Sequence, residues 1–315
     1  MSRIQFGWSL PSGARDKSRR QDYADGIARG MKLITGHFDS AWFVDHFQFD
    51  DSDQLEAWVA LTYFAAQYPQ FQFGHAVLCQ SYRNPALTAK MGASLQALSG
   101  GRFILGIGAG WHEPEYRAYG YPFPSAGQRV EEFEETLEII KRMWHEEKAT
   151  FKGKHYQIED AWCEPKPEPL PPIMIGGAKP RMLRLVARYA DWWNVSWTGI
   201  DDYRAQVAES ERACAEVGRD PATLRRTWFG GCVCAPTAAA VQRLNTRDIK
   251  PDNAFVGTPA QIVEQMAPFI ELGVDYFMLS AGGFPDLTTL EMLVHEVMPQ
   301  LNAAAGVRGQ GSAAS

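Results

Sequence analysis

At 315 residues, with a net charge of −6 and 45% apolar residues, the chain has the make-up of a globular protein and no polyanion-binding footprint, so nucleic acid is excluded as an expected partner. No apolar run approaches the roughly 20 residues that a membrane span needs. Nor does a charged-then-apolar leader open the chain, so a soluble, cytoplasmic protein without a membrane partner is expected. Five scattered cysteines, Cys79, Cys163, Cys214, Cys232 and Cys234, lack the paired spacing of a zinc site; reduced buried thiols and no metal are expected.

Ile4–Leu10 reads as a first strand stopped by Pro11, with Trp8 near its carboxyl end. Gln21–Leu33 has a helical pattern, and Phe38–Val44 is a second strand that delivers Asp45 and His46 at its exit. A helix over Leu55–Tyr68 leads to a third strand, Phe71–Cys79, and another helix runs to Leu98. Gly100-Gly101 then turns the chain into a fourth strand, whose run Phe103-Ile104-Leu105 suits a sheet covered on both faces. Alternating glycines, Gly106, Gly108 and Gly110, end that strand. They miss the dinucleotide pattern G-x-G-x-x-G, because Trp111 stands where its last glycine belongs.

After Trp111 about sixty residues interrupt the alternation. They hold an amphipathic helix over Val130–Trp144, a hairpin over Thr150–Gln157 turning near Gly153, and an extended proline-rich run from Glu164 to Pro172. The fifth strand, Pro172–Ile175, ends in Gly176-Gly177 before a helix over Arg181–Tyr189. Ala190–Ser196 is a sixth strand, Tyr203–Val217 a helix and Thr227–Cys234 a seventh strand. Thr258 as N-cap and Pro259 at the first helical position open a helix to Leu272. An eighth strand over Val274–Ser280 and a helix over Leu287–Leu301 follow; residues 303–315 are small and polar, and disorder is expected there. Eight strands alternating with helices predict an α/β fold, a (β/α)8 TIM barrel, as one domain over residues 1–302 with an insertion after strand 4 at about 111–171. A doubly wound sheet is the competing topology.

In a barrel the strand exits converge on one mouth. Here they carry Asp45-His46, Cys79, Gly108 to Glu113 and Gly176 to Lys179. Two glycine-rich exits suit a flat ring and a phosphate better than a metal, and no H-x-H pair supports the alternative of a metal-dependent hydrolase. Gly176-Gly177-Ala178-Lys179 precedes a helix N-terminus with Arg181 in its first turn, an arrangement that favours an anion, or else is a plain strand-to-helix turn. His46 can move a proton near neutral pH; a core histidine is the other reading. Asp45 can be a structural cap. Glu113 and Glu115 flank Pro114 at a helix start, where acidic residues serve as dipole partners, the reading preferred for Glu115. Trp8, Trp111 and Trp197 are candidates for an apolar or ring-bearing substrate pocket, with core filling as the alternative.

The stretch SGGRFILGIGAGWHEPEYRAYGYPFPSAGQR, with SAWFVDHF and YRNPALTAKM before it and PPIMIGGAKPRMLRLVARYADWWN after it, resembles the bacterial luciferase-like monooxygenase superfamily. More narrowly it resembles its coenzyme F-420 (8-hydroxy-5-deazaflavin)-dependent oxidoreductase branch. The resemblance runs from about Ile4 to Leu301. It implies a barrel with an insertion after strand four, a deazaflavin or FMN at the mouth, homodimers and a small-molecule organic substrate. It also implies a non-prolyl cis peptide in the third strand, at Ala76-Val77 when counted from Gly74, supporting the ring. Cys79 would lie near the ring, Gly108, Ala109 and Gly110 would approach it by backbone, and Gly176, Gly177, Ala178 and Lys179 would form the phosphate turn. Asp45-His46 aligns with a pair that contacts the cofactor and assists proton transfer. A sugar-phosphate dehydrogenase of the group has a catalytic glutamate where Trp111 stands, so its substrate and acid-base scheme do not carry over; Glu113, two residues on, is the candidate replacement. The leading expectation is hydride transfer between the deazaflavin and an organic substrate. Its alternatives are an FMN-dependent monooxygenase served by a flavin reductase and a non-catalytic flavin-binding protein.

Overall fold

A computed structural model describes residues 3–14, 16–49, 51–245, 249 and 251–303. Strands β1 (Gln5–Ser9), β2 (Ser40–Phe43), β3 (Gln72–His75), β4 (Phe103–Gly108), β5 (Ile173–Gly176), β6 (Trp192–Ser196), β7 (Arg225–Cys234) and β8 (Val274–Ala281) are parallel, each paired with the next. β8 pairs back onto β1 from Gln5–Tyr276 to Trp8–Leu279, which closes the ring. The fold is the (β/α)8 barrel, and the doubly wound alternative falls because an open sheet has no such last pairing.

Side chains alternate across each strand, and the alternation sorts the apolar residues into two layers. Trp42, Ile104, Met174, Trp192, Phe229, Tyr276 and Met278 fill the barrel interior. Phe6, Trp8, Phe43, Phe73, Leu105 and Ile107 face outward into a second core beneath the helices. The helices are α1 (Gln21–Ile34), α2 (Ala57–Gln67), α3 (Pro85–Ser99), α4 (Glu113–Ala118), α5 (Ala126–His145), α6 (Pro180–Tyr189), α7 (Ile200–Glu216), α8 (Ala238–Leu244), α9 (Pro259–Glu271) and α10 (Thr288–Met292); α4 and α8 pack instead on separate small clusters through Tyr116 and Val241.

Within the stretch 111–171, α5 packs between α3 and α6 as a barrel helix, while α4 and an antiparallel hairpin (Lys148–Lys152 with Gln157–Trp162) are additions. The third strand is not continuous as expected. Phe73 and Gly74 face Phe103 and Ile104, and Leu78 and Cys79 then face Ile107 and Gly108, so one extra residue is bulged out between them. The Ala76-Val77 peptide inside this bulge is cis. α8 and a short strand over Phe255–Gly257 occupy a stretch that sequence periodicity left unread. Beyond α10 a π-helical turn over Leu293–Val297 leads into helical residues 298–303; the rest of the expected tail, 304–315, lies outside the described residues.

Candidate active site

The strand exits surround one cavity of about 1040 Å³, at the upper end of small-molecule sites. Its floor is the β3 bulge. Val77 is half-buried there and its side chain lies between two glycines of neighbouring strands: a Cβ on Gly108 would stand 3.0 Å from Val77 Cγ2, and one on Gly176 3.2 Å from it. Below, a Cβ on Gly106 would meet the His75 carbonyl at 1.8 Å. The bulge thus requires glycine at 106, while Gly108 and Gly176 leave Val77 a close-fitting seat as an apolar platform beside Val44 and Ala76.

Gly110 answers a second requirement. Its φ of +77° is left-handed, and a Cβ would stand 1.9 Å from Tyr116 Oη and 2.7 Å from Cys79 Sγ. Gly108, Ala109 and Gly110 all line the cavity, and Gly108 and Gly110 are also sites of close packing of the chain on itself. Cys79 is buried with its Sγ 2.9 Å from Tyr116 Oη, and burial pushes its thiol up to about 11. It is a packing group and a poor nucleophile at neutral pH.

Asp45 and His46 leave β2 in different directions. Asp45 is buried; it accepts the Cys79 N–H at 2.9 Å and two N–H groups of Arg83 at 2.7 and 3.0 Å. Burial pulls its pKa upward against the Arg83 guanidinium, which also binds Glu56. This pair ties the exits of β2 and β3 together. His46 stays 17% exposed on the cavity wall, with Phe49, Trp111 and His112 rings packed around it at centroid distances of 4.4, 5.8 and 6.0 Å. Its Nδ1 lies 2.9 Å from Oε2 of Glu115, which is fully buried. The same oxygen accepts the Tyr82 hydroxyl at 2.9 Å, while Oε1 accepts the backbone N–H groups of Phe47 and Gln48. Burial pulls the Glu115 pKa upward, but the hydrogen bonds, led by that from His46, outweigh it and hold the carboxyl below its ordinary value.

Several expected site residues lie elsewhere. Trp8 points outward from β1 against α1, where a Cβ on Gly30 would be 2.4 Å from its ring; it is core, because strand alternation aims it away from the mouth. Glu113 binds Arg117 one helical turn on and does not line the cavity, whereas Glu115, read as a dipole partner, reaches His46. Lys179 is exposed at the α6 N-cap and outside the cavity lining, which Gly176, Gly177 and Ala178 do reach. Trp111, 67% exposed, and Trp197, 38% exposed, both line it. Trp197 has φ +50° and lies over Gly231, where a Cβ would stand 2.8 Å from its ring. The wall also holds Phe49, Tyr82, His112, Phe229 and Phe284, for which the sequence offered only aromatic composition.

A flat ring with a phosphate tail fits this chain. The platform of Val44, Ala76 and Val77 is apolar, and Gly177 (φ +135°) turns the backbone toward the α6 N-terminus, whose free N–H groups favour an anion. No group of three or more His, Cys, Asp and Glu among the described residues is arranged to hold a metal ion.

A profile described as luciferase-like monooxygenase matches residues 4–250. An F420-dependent hydroxymycolic acid dehydrogenase of Mycobacterium tuberculosis is 30% identical over 87% of this chain and 84% of its own. An F420-dependent glucose-6-phosphate dehydrogenase of Kineococcus radiotolerans is 35% identical, but the match spans 60% of this chain and 58% of that protein. An FMNH(2)-dependent dimethylsulfone monooxygenase of Pseudomonas putida is 30% identical over 43% of this chain and 38% of its own. Among solved structures, an F420-dependent secondary alcohol dehydrogenase superposes with a TM-score of 0.79 at 20% identity, covering 95% of this chain and 98% of that one.

Proposed function

The chain belongs to the luciferase-like monooxygenase family and is an oxidoreductase of it, and from this we propose that it moves a hydride between coenzyme F-420 and a small organic substrate. The extent of likeness carries the reading: the deazaflavin-dependent mycobacterial relative matches 87% of the chain and the FMNH(2)-dependent relative 43%. Val44, Ala76 and Val77 would carry the ring, and Ala178 would face its phosphate by backbone N–H, the Gly177 N–H being held by the Asn194 carbonyl. The bound deazaflavin supplies a centre that accepts or gives a hydride. His46 takes the proton that an alcohol-type substrate loses when its hydride leaves, and returns it in the reverse reaction. Trp111, Trp197, Phe229 and Phe284 supply an apolar wall for the substrate.

Among the described residues the lining has no lysine or arginine, and its carboxylates Asp45, Asp51 and Asp53 are each paired with a cation behind it, Arg83, Lys17 and Arg20. This supports a substrate without a phosphate group, in contrast to the sugar phosphate in the name of the Kineococcus relative. The FMNH(2)-dependent relative favours a second reading, reduced FMN with oxygen and a separate reductase. Anaerobic incubation with oxidised deazaflavin and a panel of secondary alcohols tests the choice, read by loss of the cofactor's visible absorbance. Bleaching with at least one alcohol is expected; no bleaching, with turnover requiring reduced FMN and oxygen, assigns the second reading.

A further inference from the structure

We propose that Glu115 is the positioning residue for His46: it holds the imidazole in the tautomer with hydrogen on Nδ1 and so turns a bare Nε2 toward the cavity. Tyr82 fixes the carboxylate from the other side. The catalytic use of that nitrogen rests on the proposed function; the tautomer itself does not.

Donors and acceptors around the carboxylate decide the tautomer. Two of the groups on Glu115, the backbone N–H groups of Phe47 and Gln48, can only donate, and both go to Oε1. Oε2 accepts the Tyr82 hydroxyl and lies 2.9 Å from His46 Nδ1. A fully buried carboxylate ringed by donors stays ionised and has no hydrogen to give. Nδ1 must therefore donate, which in the neutral ring leaves the lone pair on Nε2. Geometry supports this from a second side, because Glu115 also clamps the two residues after His46 and thereby fixes the backbone on which the ring turns. Phe49 and Trp111 close the ring in, and His112 is the other titratable ring beside it. A glutamate that only tied α4 to the loop would need the backbone contacts alone and would leave the tautomer to chance.

Long-range proton–nitrogen NMR of the free protein reads the tautomer directly, with the His46 signals identified by their loss in His46→Ala. The expected result is hydrogen on Nδ1 of neutral His46, and in Glu115→Gln a mixture in which that tautomer no longer dominates. The amide introduced by this substitution keeps an oxygen for the backbone donors, and circular dichroism reports whether the variant folds. Hydrogen on Nε2 in the unmodified protein, or an unchanged tautomer in a folded Glu115→Gln variant, overturns the proposal. No cofactor is present in this measurement, so its outcome is independent of the deazaflavin assay. With a substrate in hand, Glu115→Gln lowers kcat by about a hundredfold at unchanged deazaflavin affinity.

Discussion

Glu115 shows how one buried carboxylate joins stability to chemistry. Removing it in Glu115→Ala leaves the donors of Phe47, Gln48, Tyr82 and His46 without their acceptor. The expected loss is about 3 kcal/mol at pH 7, measured by urea denaturation. Because the carboxyl is held below its ordinary value of 4.5, the folded protein favours its charged form, and the contribution is fully present at neutral pH. It is lost as the pH falls from about 4.5 through the lowered folded value, so wild type and variant converge in acid. This residue was hidden in the sequence. An acidic residue early in a helix is ordinary, and its contact with His46, 69 positions away, follows from how α4 folds back over the β2 exit. The place of Asp45 and His46 at the β2 exit was legible because a polar pair there follows directly on an apolar strand; Trp8 was misplaced because one step of strand alternation decides between mouth and core.

At the scale of elements, the exits of β3, β4 and β5 form one device. Val77 is lifted by the bulge and seated between Gly108 and Gly176, and Gly110 turns the chain under Tyr116 and Cys79 into the insertion. Alternating glycines after a strand announced close approach, and within the chain the approach is made by the His75 carbonyl at Gly106, by Val77 at Gly108, and by Tyr116 and Cys79 at Gly110. Gly110→Ala would combine a left-handed φ with a Cβ 1.9 Å from Tyr116 Oη. The expected cost is about 2–4 kcal/mol in thermal or urea unfolding, and an unchanged stability would show that Tyr116 moves freely. The insertion was visible as a break in rhythm, whereas α8 escaped notice because it is short and buries only Val241.

Over the whole molecule, eight apolar runs spaced by helices were enough to specify a barrel, since parallel strands need covered faces and right-handed crossovers. The closed ring places the exits at one mouth, and their residues then define a cavity large enough for a ring cofactor and a second reactant. What the chain order could not convey is which side chains meet across that mouth, for these come from β1, β6, β7 and β8 and from the loops after the strands. In the proposed function the platform at Val77 serves a deazaflavin. Fluorescence titration of the purified protein with coenzyme F-420 and, separately, with FMN tests it most directly. Saturable quenching of the deazaflavin at concentrations that leave FMN fluorescence unchanged is the predicted result; saturable binding of FMN with none of the deazaflavin would contradict it.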